Sequence, residues 1–374
     1  MSFKSNKKLG FGLMRLPKIG EEFDLEQIKK MVDTFLEAGY NYFDTAWLYK
    51  GSEEIMRKAL VDRHPRESYT IATKMAAWMS KSKDEALDQY YSSLKKSNAG
   101  YFDYYLLHNL GEDRTAFFDK WNLWDFVQEE KKKGRIRHVG FSIHSSAEDL
   151  ESILQNHPEM EFVQLQINYA DWDDLQIQSR RCYEVARKYN KPVIIMEPVK
   201  GGLLANPPPR VADVLKKADP DRSYASWAIR FAASLDGVFS VLSGMSNMEQ
   251  LNDNIASLNN FQKLSDAEQQ TISEARKELQ KVSMVPCTFC DYCAKVCPEN
   301  IGISATFNAL NAYKLYGDMK FALGQENWFV VHKGKKRANQ CINCGKCEKS
   351  CPQHLAIRKY LKEASDIFQM DKAD

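Results

Sequence analysis

Four side chains able to handle protons stand at the ends of consecutive strand-like segments in the first third of the sequence. Segment 40–46 is aromatic and β-branched; Asp44 sits at its apolar end and Tyr49 on the loop just beyond. Segment 69–74 ends on Lys74, and segment 101–108 ends on His108. A carboxylate in apolar surroundings needs a cation, and so does a tyrosine that is to give up a proton near neutral pH. Taken singly, these residues read as a buried ion pair, a surface tyrosine and a core histidine. Asp44, Lys74 and His108 on three consecutive strand ends, with Tyr49 on the loop after the first, place a cation within reach of both the carboxylate and the tyrosine.

A second chemical signature lies after residue 286. Cys287, Cys290, Cys293 and Cys297, then Cys341, Cys344, Cys347 and Cys351, both follow C-x2-C-x2-C-x3-C-P. That spacing wraps three thiolates around one face of an iron–sulfur cube. Where two such runs share a protein, the fourth cysteine of each serves the other cluster. One cluster is therefore expected on Cys287, Cys290, Cys293 and Cys351, and the other on Cys341, Cys344, Cys347 and Cys297. Zinc is the alternative, but it takes four thiolates tetrahedrally and usually in separated pairs. Two full copies with a trailing proline favour two 4Fe-4S clusters. Cys182 lies in a helix-period segment and reads as a buried small side chain.

The elements that must position these groups follow from periodicity. Strands are expected near 9–13, 40–46, 69–74, 101–108, 136–142, 162–168, 192–198 and 238–243. Helices are expected near 24–38, 52–62, 83–97, 115–133, 146–156, 175–189, 223–235 and 266–281. Eight strands alternating with helices over about 280 residues predict an α/β fold, a (β/α)8 TIM barrel. An open doubly wound sheet is the alternative, but no G-x-G-x-x-G opens a helix. Residues 1–283 are assigned to the barrel and 284–374 to a mainly α-helical ferredoxin-like unit with helices at 305–316 and 357–368. Pro207–Pro209 reads as a stiff loop.

Composition excludes some partners. A net charge of +2 and a pI near 7.9 give no reason to expect nucleic acid or anionic membranes. There is no run of eighteen apolar residues and no apolar leader after Met1, which predicts a cytoplasmic protein without a membrane span. Eight clustered cysteines suit metal ligation in a reducing compartment rather than disulfides.

The run F-D-T-A-x-x-Y-x-x-S-E over residues 43–53, followed by Lys74 and His108, resembles the aldo/keto reductase superfamily over about residues 8–260. The resemblance implies NAD(P)H-dependent reduction of an aldehyde or ketone, or the reverse alcohol oxidation. Tyr49 is then the general acid, Lys74 its activator, Asp44 the partner of Lys74, and His108 a donor to the carbonyl oxygen. It also implies a nucleotide held by Ser142 and Gln164 at the carboxamide, beside Gly12, Met196 and Pro198. Met196 stands where relatives stack an aromatic. Gly201 would approach the pyrophosphate, and Gly244, Ser246, Gln250, Asp253 and Asn254 the adenosine end, in the form seen in potassium-channel β subunits. Lys200, Arg210 or Arg222 is the expected cation for a 2′-phosphate; NADP is favoured by family habit and NAD stays open. His144 either reaches the cofactor or substrate or serves a helix entry, and Trp47 and Trp78 are expected to line a substrate pocket.

The cysteine-rich unit looks like the helical type of two-cluster ferredoxin found fused to redox enzymes. Its basic stretch Lys333, Lys335, Lys336 and Arg337 reads as a solvated loop or as a dock for an acidic one-electron carrier protein. Nicotinamide moves two electrons as hydride whereas each cluster moves one, and no flavin site is legible between them. A second reading is therefore an electron-transfer or redox-sensing iron–sulfur protein whose barrel binds nucleotide with little carbonyl turnover.

Overall fold

The structure is a computed structural model that describes residues 7–174, 177–281, 283–316 and 319–369. The chain divides into two compact units. One comprises residues up to Val199 together with Arg222–Gln269; the other comprises Lys200–Asp221 together with residues from Gln270 onward.

The first unit is a closed barrel of eight parallel strands: β1 (Leu9–Gly12), β2 (Tyr42–Asp44), β3 (Thr70–Met75), β4 (Phe102–Leu110), β5 (Ile136–Ile143), β6 (Phe162–Gln166), β7 (Val193–Met196) and β8 (Val238–Ser243). Each strand pairs with its sequence neighbour, and β1 closes on β8 with Phe11 opposite Ser243. Side chains alternate between inside and outside. Tyr42, Ala72, Leu106, Phe162, Ile194 and Phe239 pack as one cluster inside the barrel. Phe11, Phe43, Ile71 and Met75 instead join the outer layer with helix residues such as Ile28 and Phe35. Tyr104 binds the inner cluster together, its ring 5.1 Å from Tyr42 and 5.5 Å from both Phe162 and Phe239. Aromatic pairs at these separations add about 0.5–1.5 kcal/mol each beyond their burial.

The outer helices begin where polar caps allow. Asp24, Ser82, Ser146 and Ser223 each accept the backbone N–H three residues on, opening helices Leu25–Glu37, Lys83–Ser97, Ala147–Asn156 and Tyr224–Ser234. The single helix expected at 115–133 is two, Thr115–Lys120 and Leu123–Lys132, because Asn122 adopts a left-handed backbone between them. The helix expected at 52–62 runs as Ser52–Met56 and then widens into a π-helical turn, Arg57–Val61. Helix Met248–Leu258 and a short hairpin, Lys18–Ile19 with Glu22–Phe23, were not among the elements expected from periodicity. Among the described residues, no helix is long and apolar enough to cross a membrane.

The second unit has its own core, in which Val285, Phe307, Leu310 and Leu361 are buried. Pro209 does not continue a loop: it opens helix Pro209–Ala218, where its missing N–H costs nothing. The cysteine-rich part is a structural repeat offset by 54 residues. Left-handed backbone recurs at Phe289 and Asn343, at Asp291 and Gly345, and at Asn300 and His354. Helices Ile303–Tyr316 and Ile357–Ile367 also start 54 residues apart (357 − 303).

Candidate functional site

Period-two alternation carries the inner face of the barrel upward from its aromatic plug. Two residues beyond Tyr42, Ala72, Leu106 and Phe162 come Asp44, Lys74, His108 and Gln164, all buried at the carboxyl ends of their strands. Lys74 Nζ donates to Asp44 Oδ1 and, at 2.7 Å, to the carbonyl of Thr45. Burial lowers the Lys74 pKa and raises that of Asp44, and the attraction between them opposes both shifts. Gln164 Nε2 donates to Asp44 Oδ2 at 3.2 Å, so both carboxylate oxygens have a donor.

The loop after β2 is held by the rest of its motif. Trp47 N–H reaches the Lys74 carbonyl at 3.1 Å, and Tyr49 N–H closes a turn onto Ala46 O at 2.9 Å. Ser52 Oγ donates to Leu13 O and shares a hydrogen bond with Thr45 Oγ1, while Thr73 Oγ1 donates to buried Glu53. These contacts place the half-buried Tyr49 ring over Lys74, with Nζ 5.4 Å from the ring centroid. The His108 ring meets Tyr49 edge-on at 6.1 Å. Trp78 Nε1 donates to His108 O at 3.0 Å, and Trp47 Nε1 donates to Ser92 Oγ at 3.1 Å. Groups from three strands and the loop after β2 thus meet at one end of the barrel. His144 shares a 3.1 Å hydrogen bond with Gln166, which also donates to Asp171.

The residues expected around a nucleotide have visible protein partners. Ser142 Oγ accepts from Asn109 N–H. Asn247 caps helix Met248–Leu258 by accepting from Gln250 N–H, and the Gln250 side chain returns to accept from Ser246 N–H. The arrangement is close to a capping box, with the Gln250 side chain reaching the residue before the cap rather than the cap itself. Asp253 accepts from Ser223, and buried Asn254 donates to Ser243. Gly12 ends β1, and Met196 ends β7 with buried Pro198 just beyond it. Arg15 is the residue the sequence did not single out. Its backbone carbonyl accepts from Ser246 Oγ at 2.7 Å, and its side chain lies 3.5 Å from where a Cβ on Gly244 would stand. Its guanidinium is 3.8 Å from Glu197. Arg222 pairs with Glu268 at 3.7 Å and lies over the Trp227 ring. Lys200, Arg210 and Gly201 lie in the second unit.

There, Gly201 has a left-handed backbone, and a Cβ on it would stand 2.5 Å from Thr288 O, next to Cys287. Only glycine tolerates both conditions. Gly201→Ala is expected to destabilise the second unit by about 1–3 kcal/mol. Thermal bleaching of the iron–sulfur chromophore would read this as a lower midpoint than wild type. An unchanged midpoint would show that the contact yields freely.

Two sets of thiols gather in this unit. Cys297, Cys341, Cys344 and Cys347 line one cavity together with Ile301, Ile303 and Leu361. Burial raises the Cys287 and Cys293 thiols, and neighbouring Cys290 and Cys351 add to the rise at both. Burial likewise pushes Cys347 up to about 11, with Cys341 and Cys297 adding to it. Each set therefore combines three cysteines of one run with the fourth of the other. Phe289 N–H donates to Cys287 Sγ, and Asn343 N–H to Cys341 Sγ, at 3.5 and 3.4 Å. An all-thiol donor set around a volume, with backbone N–H groups on the sulfurs, fits a four-iron cluster. Among the described residues, no His, Cys, Asp and Glu side chains are arranged in a group to hold a single metal ion. Cys182 belongs to the first unit, its thiol 3.6 Å from Ser145 O and pushed up to about 12 by burial.

Residues 8–277 match the Aldo/keto reductase family, and residues 286–356 match the 4Fe-4S dicluster domain. The chain belongs to the aldo/keto reductase family. Among the relatives of this family member is aldo-keto reductase AKR2E4 of Bombyx mori, 23% identical over 202 residues, which are 52% of this chain and 64% of that one. Another is the glycerol 2-dehydrogenase (NADP(+)) of Saccharomyces cerevisiae, 29% identical over 33% of this chain and 46% of that one. The chain spans between about half and two thirds of the length of the curated relatives it matches. Among solved structures, the holo form of AKR11C1 from Bacillus halodurans superposes with a TM-score of 0.54 at 24% identity, covering 72% of this chain and 91% of that chain. A Klebsiella pneumoniae aldo-keto reductase in complex with NADPH gives 0.55 at 19%, covering 71% and 89%. At these identities the structural likeness shows the reductase fold alone.

Proposed function

We propose that this aldo/keto reductase reduces a small aldehyde or ketone with NAD(P)H, or runs the reverse alcohol oxidation, in a protein that also carries two 4Fe-4S clusters. The observation that carries this reading is the buried Lys74, held by Asp44 and the Thr45 carbonyl beneath the Tyr49 ring, with His108 at its edge. The barrel residues and the cysteine-rich repeat are read as two domains, 1–283 and 284–374. When bound, the nucleotide supplies the hydride and the clusters supply one-electron chemistry.

The chain's own residues do the rest. Tyr49 donates its proton to the substrate oxygen as charge develops there. The Lys74 ammonium steadies the tyrosinate this leaves, and Asp44 keeps Lys74 charged and in place. His108 donates to the same oxygen, so two donors converge where negative charge builds. At the far end of β8, Arg15 and the amino-terminus of the eleven-residue helix Met248–Leu258 provide positive potential suited to a nucleotide phosphate. Relatives named for NADP(+) or solved with NADPH support that cofactor.

Mixing anaerobically prepared protein with NADPH or NADH and a panel of carbonyls tests the reading. Carbonyl-dependent oxidation of the nucleotide is expected. Tight nucleotide binding with no turnover across the panel would favour the electron-transfer reading instead. Arg15 gives the cofactor prediction: NADPH should bind more tightly than NADH, and the margin should shrink with added salt. Arg15→Ala should weaken NADPH by about tenfold or more, as expected for losing a hydrogen bond to a charged group, and weaken NADH less. Equal affinities for the two nucleotides at low salt would remove Arg15 from 2′-phosphate recognition.

A further inference from the structure

Residues 319–337 of the second unit read M-K-F-A-L-G-Q-E-N-W-F-V-V-H-K-G-K-K-R, with five cations and one carboxyl. The segment forms helix Met319–Glu326, then a π-helical turn, Asn327–Val331, then a basic loop. Ala322, Glu326 and Val330 face inward, whereas Phe321, Trp328, Phe329 and Val331 are 50%, 55%, 48% and 46% exposed. Four of the eight exposed large hydrophobic side chains among the described residues thus fall within eleven positions. Scattered exposed apolar residues need no explanation, but a concentrated patch marks an interaction surface. Lys320, Phe321, Gly324, Gln325, Trp328 and Phe329 line one open groove, and Trp328 is stacked on His332 at 4.7 Å.

What lies beneath the patch says what it is for. Val330, the buried residue between the exposed ones, packs on Gly302: a Cβ there would stand 2.9 Å from the valine. The basic loop is pinned to the same segment, since Gly302 N–H donates to Lys336 O and Lys336 N–H to Asn300 O, both at 3.1 Å. Gly302 sits between Ile301 and Ile303, and both line the cavity of Cys297, Cys341, Cys344 and Cys347. Val330 and the 301–303 segment thus connect the exposed aromatic face to that thiol set. The segment's one carboxyl, Glu326, is buried and accepts from Thr306 inside the unit, and of the five cations Lys336 is paired, with Glu299 at 2.6 Å.

We propose that this face docks an acidic one-electron carrier protein and exchanges single electrons with the cluster held by Cys297, Cys341, Cys344 and Cys347. The aromatics supply the desolvated centre of such an interface, and Lys320, Lys333, Lys335 and Arg337 supply a rim that steers an anionic partner. A second copy of the chain is disfavoured, because self-pairing sets like charges against each other. In each encounter the reduced carrier loses one electron and the cluster gains one, with no atom transferred. The assignment rests on reading these four thiols as iron ligands, and it does not depend on carbonyl turnover.

The test uses the cluster-loaded full chain under anaerobic conditions, with an acidic plant-type two-iron ferredoxin and an acidic flavodoxin as probes. Calorimetry measures binding, and rapid mixing with the reduced probe measures electron transfer to the clusters. Binding of at least one probe is expected, weakening as salt rises. The double variant Trp328→Ala/Phe329→Ser should weaken it by at least about tenfold. The rim variant Lys320→Glu/Lys333→Glu should slow association and flatten the salt dependence, with iron and sulfide content unchanged in both variants. Failure of both probes to bind at low salt would overturn the proposal, as would binding that neither variant alters. A wild-type dimer lost in the aromatic variant would assign the face to a second copy, and partition onto phosphatidylserine vesicles would assign it to a lipid surface. Iron-free wild-type protein would defeat the iron reading itself, whereas iron-loaded protein that ignores both carriers would defeat the docking alone.

Discussion

Tyr49→Phe is expected to lower carbonyl turnover by at least about 100-fold, the usual cost of losing a general acid. Nucleotide affinity should stay near wild type. The variant is informative because the hydroxyl stands on a loop whose shape is fixed by other atoms. Tyr49 N–H and C=O make the turn, and Ser52, Thr45 and Glu53 anchor it. Removing one oxygen from a half-buried ring leaves those bonds intact. Lys74→Met is a poorer probe of the same chemistry. It would strand Asp44 in the barrel interior without its cation, at a cost of about 3–5 kcal/mol in stability. Lost activity in that variant would mix chemistry with misfolding. Turnover of Tyr49→Phe on the best carbonyl, alongside a fluorescence titration with NADPH, separates the two. Near-wild-type turnover would take Tyr49 out of the mechanism, leaving His108 as the donor to examine.

How much of this was legible in the sequence depended on the range of the interaction. Strand positions followed from local alternation, and the eight expected strands all form, with ends that move by a few residues. The helix Pro209–Ala218 was hidden because three consecutive prolines read as a stiff loop, although the last one suits a first helical turn. Helix Met248–Leu258 lies outside the periodicity reading, and Gln250 is read there as a nucleotide contact although its side chain accepts from Ser246 N–H at the helix start. The partners of Gln164 and Asp253 are 120 and 30 residues distant, and no local pattern encodes them. Arg15 was missed for the same reason. It is 231 residues from Ser246, and the closure of β1 on β8 brings the two together. Arg15 lies on the short turn just after β1, ahead of every motif, so only the order of strands in a closed barrel could have pointed to it. The cysteines were legible because three of every four ligands are close neighbours in sequence, and the 54-residue repeat reproduces the same turns.

Cys297→Ala should remove one cluster, and which one it removes is the decisive point. By adjacency alone, Cys297 would belong with Cys287, Cys290 and Cys293, ten residues or fewer away (297 − 287). In the folded unit it lines a cavity with Cys341, Cys344 and Cys347 instead. Cys297→Ala is therefore expected to give the same residual spectrum as Cys341→Ala, and Cys351→Ala the same as Cys287→Ala. Anaerobic wild-type protein should hold about eight irons and eight sulfides, and each of these variants about four. Because metal binding contributes to folding, each loss should also open the second unit to proteolysis. The barrel has a separate core, so nucleotide binding should persist. Cys182→Ala is the internal control: its thiol lies against Ser145 O within the barrel unit, and iron content should not change. Pairing of Cys297→Ala with Cys287→Ala by electron paramagnetic resonance would overturn the crossed assignment. Two zinc ions with no sulfide would overturn the iron reading altogether. If both clusters vanish together in every variant, the two halves of the repeat fold only as one, and each cluster is the clasp that holds the other half in place.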